Sequence, residues 1–194
     1  MASPILIGAP QGTKTDSVGY AFWLPITATP PADATSALVT PNDVGFVGSD
    51  GVTLTSQLDT EMWKDWNLDD VIQINKGASA SIKCPIAGFT PAQAKLLYGA
   101  DSVVEDASPA KTWRVVFTGE LPPHIYLTFE LRGLAGHARL VAEAQVANPG
   151  EVAFKKDSPV THQLEANLFK NPAFKDKNDK PAYWGLFMDA GGTA

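Results

Sequence analysis

Residues 125–146 read IYLTFELRGLAGHARLVAEAQV and carry the clearest structural signal in the chain. Apolar side chains recur at every second position over residues 125–131 and again over residues 138–146. A period of two is typical of a β-strand that buries one face and leaves the other in water. Residues 132–136, RGLAG, indicate a turn between the two runs. The stretch therefore predicts two neighbouring antiparallel strands.

Other segments repeat this pattern or favour strands by composition. Residues 113–118 and 160–168 alternate in the same way. Residues 18–26 and 183–188 are rich in aromatic and apolar side chains, which favour strands. We therefore expect a mainly β fold, an antiparallel β-sandwich or barrel. Further strands are expected over residues 71–75 and 80–86.

Residues 44–55 predict a β-hairpin. Two short apolar runs flank the sequence GSDG, and Asp-Gly supplies the positive-φ residue that hairpin turns need. Residues 61–66, EMWKDW, fit a strand or a helix equally well.

Residues 90–99, TPAQAKLLYG, predict a single short α-helix that flanks the sheet. Thr90 is a suitable N-cap, and Gln93 three residues later completes a capping box. Pro91 suits the first helical position, and Gly99 suits the C-terminal stop. One face of the helix is expected to pack against the sheet. Its residues are Ala94, Leu97 and Tyr98.

We expect one domain over residues 1–194, because a chain of this length with 44% hydrophobic residues can form one sizeable core. Residues 1–17 are expected to be an irregular arm, and residues 27–43 and 170–181 long loops. No run of eighteen apolar residues occurs, so we expect no membrane span. The N-terminus lacks the basic region of a signal peptide, which predicts a protein made and retained in the cytoplasm.

The charge of the chain is negative and unevenly distributed. The formal net charge is −6. Residues 1–110 carry twelve acidic residues and five lysines, whereas residues 111–194 carry nine acidic and ten basic residues. No basic stripe is present, and this disfavours a protein that binds nucleic acid by its phosphates.

Signatures of catalysis and cofactor binding are missing from the sequence. The histidines at 124, 137 and 162 lack the spacing of a zinc site, and Cys84 is the only cysteine. No nucleophile motif of the G-x-S-x-G type and no phosphate-binding loop is found. We therefore expect neither enzymatic activity nor a cofactor. Two other interpretations stay open, a carbohydrate-binding module whose tryptophans stack on sugars and a hydrolase whose pocket joins a histidine to a carboxylate.

The order of these segments resembles that of the major tail tube proteins of long-tailed, siphovirus-type bacteriophages, especially those of actinobacterial hosts. Three pieces carry the resemblance. One is the Gly-x-x-x-Ser-Asp-Gly hairpin of residues 45–51, and another is the strand that leads into a short helix ending in YGAD at residues 98–101. The third is the strand that carries Arg139 and Ala144, followed by residues 160–168. Together these pieces cover residues 44–170.

The resemblance implies a β-sandwich flanked by a helix, similar also to the tube protein of type VI secretion systems. It implies that six subunits form a ring, that rings stack into a hollow tube, and that DNA passes through the lumen without specific binding. It also implies a place in the virion tail, assembly in the host cytoplasm, and a tape measure protein and a tail terminator as partners. Another tail or secretion-tube component is the nearest alternative.

Three glutamates on the polar faces of separate alternating strands are candidates to face the lumen and repel phosphate. They are Glu130, Glu143 and Glu165. The alternative is that they are solvated or paired with arginines. The candidate arginines are Arg114, Arg132 and Arg139.

Clustered acids and separate lysines are candidates for contacts between rings. The acids are Asp59, Glu61, Asp65, Asp69 and Asp70. The lysines are Lys175 and Lys177, with Lys170 and Lys180 beside them. We expect reversal of the charges of Asp69 and Asp70 to weaken stacking in a salt-dependent way.

Overall fold

The structure is a computed structural model that describes residues 21–39, 41–48, 50–67, 69–105, 112–133, 136–149, 152–153 and 160–189. The expected N-terminal arm, residues 1–17, lies outside the described residues. The strands are β1 Ala21–Pro25, β2 Asn42–Asp43, β3 Phe46–Val47, β4 Thr53–Lys64, β5 Asp70–Ala87, β6 Val103–Glu105, β7 Trp113–Val115, β8 Ile125–Gly133, β9 Gly136–Asn148, β10 Val152–Ala153, β11 Thr161–Phe169, β12 Asn171–Lys175, β13 Pro181–Ala182 and β14 Trp184–Asp189. The helix α1 is Pro91–Tyr98, and a 3-10 turn, Ala100–Ser102, follows it.

Ten of the described strands form one antiparallel sheet. Its backbone order is β2-β1-β8-β9-β11-β5-β3, with β4 on β5, β14 on β9 and β10 on β11. The strands β8 and β9 pair from Ile125↔Ala144 to Gly133↔Gly136, as the alternation of residues 125–146 predicts. The prediction of a mainly antiparallel β fold with one short helix is confirmed, and the described strands do not close into a barrel.

One hydrophobic core lies between one face of this sheet and the helix. Alternate residues of β5, β8, β9 and β11 contribute to it, among them Ile82, Leu127 and Leu164, which are fully buried. Leu96 and Leu97 close the core from the helix side. Of the residues expected on the packing face, Ala94 and Leu97 are fully buried and Tyr98 is half-buried against the core. Gln93 is buried as well.

The helix begins as the sequence predicts. The Thr90 side chain accepts a hydrogen bond from the Gln93 backbone N–H, and the Gln93 side chain accepts one from the Thr90 N–H at 2.7 Å. This reciprocal pair is a capping box, and Pro91 occupies the first turn. Gly45 has a φ of +104°, and a Cβ there would lie 1.8 Å from the Gln93 amide nitrogen. A glycine is therefore required where the chain passes the cap.

The expected hairpin over residues 44–55 is wrong. Both β3 and β4 pair antiparallel with the same strand, Val47 opposite Ile86 and Thr53 opposite Lys83, so they lie end to end along β5. The GSDG segment does make a turn, since the Gly51 N–H donates to the Gly48 carbonyl at 2.9 Å. The Gly48 N–H also donates to the carbonyl of Pro85 at 2.7 Å. The turn therefore connects β3 to β4 along the same edge of β5, and it does not pair the two strands with each other.

Two further expectations are corrected along β4 and β5. The two strands expected at 71–75 and 80–86 are parts of one continuous strand, β5. The ambiguous residues 61–66 continue β4 as far as Lys64 and then enter a turn. The predicted strand 113–118 is shorter than expected, because β7 ends at Val115 and pairs with β6 outside the main sheet.

The expected loop over residues 170–181 contains the strands β12 and β13. Phe174 is buried against Tyr126 and Val141, on the sheet face opposite the main core. Asn171 donates through its amide to the Tyr126 hydroxyl at 3.1 Å. A carboxylate turn closes the hairpin, where Asp176 accepts from the N–H groups of Asn178 and Lys180. One apolar anchor therefore orders a segment whose composition is typical of a loop.

No helix in the described ranges is long and apolar enough to cross a membrane.

His162 is a buried histidine, only 2% exposed, and its ring stacks on Phe89 at a centroid distance of 4.5 Å. Burial lowers its pKa below the ordinary value of 6.5, because the charged form loses hydration. The unfolded chain then takes up a proton more readily than the folded one. We expect the free energy of unfolding to decrease as the pH falls below about 6.5, and urea titrations between pH 8 and pH 5 measure this.

His162→Phe should flatten this pH dependence, since a second phenyl ring can stack on Phe89 without titrating. His137→Gln, a change at an exposed histidine, is the matched control and should keep the wild-type slope. If the free energy of unfolding of His162→Phe depends on pH as in the wild type, buried His162 is not the cause of that dependence.

Candidate assembly interface

The strands β4 and β5 continue beyond the rest of the sheet as a two-stranded hairpin, residues 58–67 and 69–77, which we call the arm. At its base, the Trp184 Nε1 donates to Ser56 at 3.1 Å and the Tyr183 hydroxyl donates to the Ala78 carbonyl, and these are the last hydrogen bonds from the body to β4 and β5 among the described residues. The pairing of β11 with β5 covers Ser81 to Ala87 and stops there. At about 3.3 Å per residue, the arm projects roughly 25 Å.

A carboxylate turn closes the tip of the arm. Asp65 accepts hydrogen bonds from the N–H groups of Asn67, at 2.8 Å, and Asp69, at 3.0 Å. Its own N–H donates to the Asp69 carbonyl at 3.0 Å. Trp66 lies in this turn and is fully exposed. The tip is thus locally ordered by its own backbone contacts and presents an indole ring to solvent.

The arm carries many large apolar side chains in water. Trp63 is 55% exposed, Ile72 56% and Ile74 45%. Leu58, Met62 and Val71 are exposed as well. Soluble monomers rarely expose contiguous apolar patches of this kind, which instead mark interaction sites.

The strand register places the apolar side chains together. Trp63 lies opposite Ile72, and Glu61 lies opposite Ile74. These four residues share one face, because directly opposite residues point the same way and the faces alternate along each strand. Met62 and Gln73 form the pair between them on the other face. One face of the arm is therefore a compact apolar patch of Trp63, Ile72 and Ile74.

Both backbone edges of the arm are open in the described part of the chain. Along residues 58–64, β4 pairs with β5 alone, and along residues 70–77, β5 pairs with β4 alone. An isolated two-stranded hairpin is marginally stable in water. Unpaired edges of this length also invite pairing with another chain.

All five acids proposed for contacts between rings lie on the arm or its tip. Two of them are neutralised locally, Glu61 by Lys76 at 2.7 Å and Asp70 by Lys64 at 3.4 Å. Asp59, Asp65 and Asp69 make no ion pair with described residues, so the arm is acidic. Among the lysines, Lys175 lies 3.5 Å from Asp179 in the β12–β13 hairpin, and no described ion pair joins these lysines to the arm within one subunit.

The three glutamates proposed for the lumen lie in different surroundings. Glu130 accepts from Arg139 at 2.7 Å, which is the arginine pairing that the sequence left open. Glu143 accepts from the Asn171 amide at 2.5 Å and contacts the His124 Nδ1 at 2.8 Å. Glu165 lies on an open face of β11 and pairs with Lys83 at 2.7 Å. The Glu130 and Glu143 side chains are 16% and 15% exposed, whereas the Glu165 side chain is 32% exposed and is the least covered of the three.

Arg139 attaches the long loop that precedes β2 to the sheet. Its side chain is 4% exposed and donates to the Asp33 carbonyl at 3.0 Å and to Ser36 at 3.4 Å. Hydrogen bonds from the N–H groups of Ser36 and Thr35 lower the pKa of Asp33 in the same loop. A cleft of about 460 Å³ lies between loop and sheet, lined by Phe22, Leu38 and His137 beside the Glu130–Arg139 pair.

The structure does join a histidine to a carboxylate, as the hydrolase interpretation expects. His124 contacts Glu143, and its ring packs on Phe169 at 4.3 Å. In the described residues no serine, threonine or cysteine side chain is hydrogen-bonded to His124. Both Glu143 oxygens are occupied, by His124 and by Asn171, so this contact holds β12 against the sheet. No group of three potential metal ligands is found in the described ranges.

The sequence pointed to the acids of the arm and missed its apolar patch. The signal was present in Met62, Trp63 and Trp66, followed by Val71, Ile72 and Ile74. Such residues normally indicate buried strands, and periodicity cannot tell which strands extend past the body of a sheet.

Comparison with known proteins found no match: no protein-family model matches the chain, and no curated protein matches it.

Proposed function

We propose that the chain is a structural subunit of a bacteriophage tail tube, which assembles into rings that stack into a hollow conduit for DNA. The arm carries this proposal. It combines an apolar patch, two open backbone edges and a fully exposed tryptophan at its tip. A second copy of the chain can cover all three features at once.

Ring formation explains why such an arm is tolerated. An exposed edge strand is an aggregation hazard for a monomer, whereas a ring pairs each edge with the next subunit and leaves none free. Heterologous contacts of this kind close if the rotation between subunits fits a ring. The resemblance in sequence layout supplies the number six and the stacking of rings.

The dimensions are compatible with a DNA conduit. If four strands of each of six subunits line the bore, the roughly 24 strands at about 4.8 Å give a circumference near 115 Å. The corresponding diameter is about 37 Å before strand tilt widens it. A DNA duplex fits such a bore with room for water.

Charge complementarity supports a contact between stacked rings. The arm tip carries Asp65 and Asp69 without ion-pair partners among the described residues, and the β12–β13 hairpin carries Lys177 and Lys180 besides Lys175, which is paired with Asp179. Opposite charges on two separate projections of one subunit can meet between copies. By the same proposal, the tape measure protein and the tail terminator are the other partners.

Electron microscopy of the purified chain tests the proposal directly. We expect negatively stained samples to contain hollow rings or tubes of uniform width, and light scattering to show mass growing with protein concentration. A sample that stays monomeric at every concentration, with a tail-initiating complex added as well as without, would contradict it.

Carbohydrate binding is the second candidate, because Trp63 and Trp66 are exposed and Trp66 lies in the turn that Asp65 forms with Asn67 and Asp69. It predicts a monomer whose tryptophan fluorescence changes on addition of a glycan. A glycan screen on the same preparation therefore separates the two candidates.

A further inference from the structure

We propose that the polar face shared by β4, β5 and β11, here called the wall face, lines the channel as three of the four strands that each subunit contributes, and that DNA passes along it freely because its charge is balanced. This inference rests on the proposed tube function and names the surface that meets the passing DNA.

The strand register defines the wall face. Thr53, Lys83 and Glu165 lie side by side across the three strands, and Thr55 lies beside Ser81 and Asn167 in the same way. The second of these rows is uncharged, and so are the flanking pairs on this face, Gln57 opposite Ser79 and Pro85 opposite Gln163. Most of these side chains are exposed, and the others are half-buried.

The opposite face of the same strands fixes the orientation in a ring. There Ile82, Cys84 and Leu164 are fully buried beneath the helix and the main core. Along β4, β5 and β11, the described residues that pack on the sheet thus lie on one side of it. Since the circumference of a ring increases with radius, the bulky side fits at larger radius and the bare side faces the axis.

The wall face carries one ion pair and no other described charge among these positions. Lys83 and Glu165 are 2.7 Å apart, so the face is neutral as well as polar. Of the three glutamates first considered for the lumen, Glu165 alone lies here, and its charge is offset by Lys83. A neutral surface of hydroxyl and amide groups releases few counterions from DNA and therefore neither grips nor repels it strongly.

Cysteine labelling locates the wall face in assembled tubes. Cys84 is fully buried and burial raises its pKa to about 12, so the native thiol gives little background. Thr55→Cys on the wall face and Asp101→Cys in the 3-10 turn that follows the helix are labelled with biotin-maleimide, and streptavidin is added to intact tubes. We expect streptavidin to reach Asp101→Cys in tubes, and to reach Thr55→Cys only after the tubes are dissociated. Streptavidin decorating Thr55→Cys tubes along their length would overturn the proposal.

A charge reversal tests the role of the balanced pair. Glu165→Lys leaves Lys83 without its partner and places two positive groups per subunit on the wall face. We expect these tubes to protect about tenfold more duplex DNA from nuclease than wild-type tubes at low salt, with the difference lost at high salt. Glu120→Lys makes the same charge change at an exposed residue off this face, and we expect its DNA to stay accessible to nuclease.

The possible results distinguish the proposal that the wall face lines the channel from the proposal that the chain forms tubes. Tubes that form and resist streptavidin, with nuclease protection in Glu165→Lys alone, support both. Tubes that form while Glu165→Lys protects no more DNA than wild type contradict the wall face and leave the tube function standing. If no tubes form under any condition, the proposed function fails and the wall face fails with it.

Discussion

Replacing Trp63 and Ile72 by aspartate is expected to abolish the proposed assembly into rings and tubes while the subunit stays folded. The two side chains lie opposite each other on the arm, and each is more than half exposed. They belong to neither hydrophobic core, so their loss should change the free energy of unfolding by no more than about 1 kcal/mol. An interface would instead have to bury two carboxylates against an apolar surface, which costs several kcal/mol.

Size-exclusion chromatography with light scattering, electron microscopy and urea unfolding measure the two effects separately. Val39→Asp is the matched control, since Val39 is a strongly exposed apolar residue away from the arm, in the loop before β2. We expect that variant to assemble like the wild type. Normal tubes from the arm double variant would show that its apolar patch is not an interface.

Truncating Glu130 to alanine is expected to lower the free energy of unfolding by about 3–5 kcal/mol. The Arg139 guanidinium is almost entirely buried, and Glu130 is its carboxylate partner at 2.7 Å. Without that partner, the charge keeps only the Asp33 carbonyl and the Ser36 hydroxyl as described hydrogen-bond acceptors. An uncompensated buried charge is among the few single defects that cost this much.

Urea titrations of a double-mutant cycle measure the effect. The combination of Glu130→Leu with Arg139→Met removes both charges and should recover most of the loss, as apolar replacement of buried pairs often does. Glu165→Ala is the control, because the Glu165–Lys83 pair is half-exposed and should contribute no more than about 1 kcal/mol. Equal losses from Glu130→Ala and Glu165→Ala would contradict this account of Arg139.

This contrast also affects how the lumen hypothesis can be tested. Neutralising Glu130, Glu143 and Glu165 together would remove the partner of a buried arginine and the anchor of β12 along with any lumen charge. A failure to assemble would then report a misfolded subunit. Changes at Glu165 alone avoid this difficulty.

The strands and the helix could be predicted because their signals are local. Alternation over residues 125–146 specified which side chains face the main core, and the Thr90–Gln93 capping box specified where the helix begins. The partner of a strand is not a local property. Residues 44–55 have the composition of a hairpin, yet both of its halves pair with β5, which follows later in the chain.

The structure of residues 170–181 could not be predicted either, because it depends on contacts with distant residues. Its lysines, aspartates and prolines favour a loop, and one phenylalanine, Phe174, orders it by packing on Tyr126 and Val141. The surface that receives Phe174 is the wet face of β8 and β9, which alternation alone assigns to solvent. A second layer over part of a sheet is therefore invisible to a period-two pattern.

The sequence indicated the acidic residues of the arm as candidates for contacts, but it did not indicate the apolar patch. A run of Val71, Ile72 and Ile74 predicts a strand whether that strand lies inside a core or projects from it. Exposure depends on where the neighbouring strand β11 ends, and no residue of the arm encodes that. The buried partners of Glu130 and Glu143 depend on loops far away in sequence for the same reason.

The continuity of β5 also has a mechanical consequence. One uninterrupted strand runs from Ile86 in the core to Asp70 at the end of the arm, and seven of its residues pair with β11. A pull on the arm along this strand loads those hydrogen bonds in shear, so that they share the force and must fail together. A subunit gripped by its arm therefore resists tension as a whole domain, and a tube built from such subunits can bend or be stretched without its members unravelling one bond at a time.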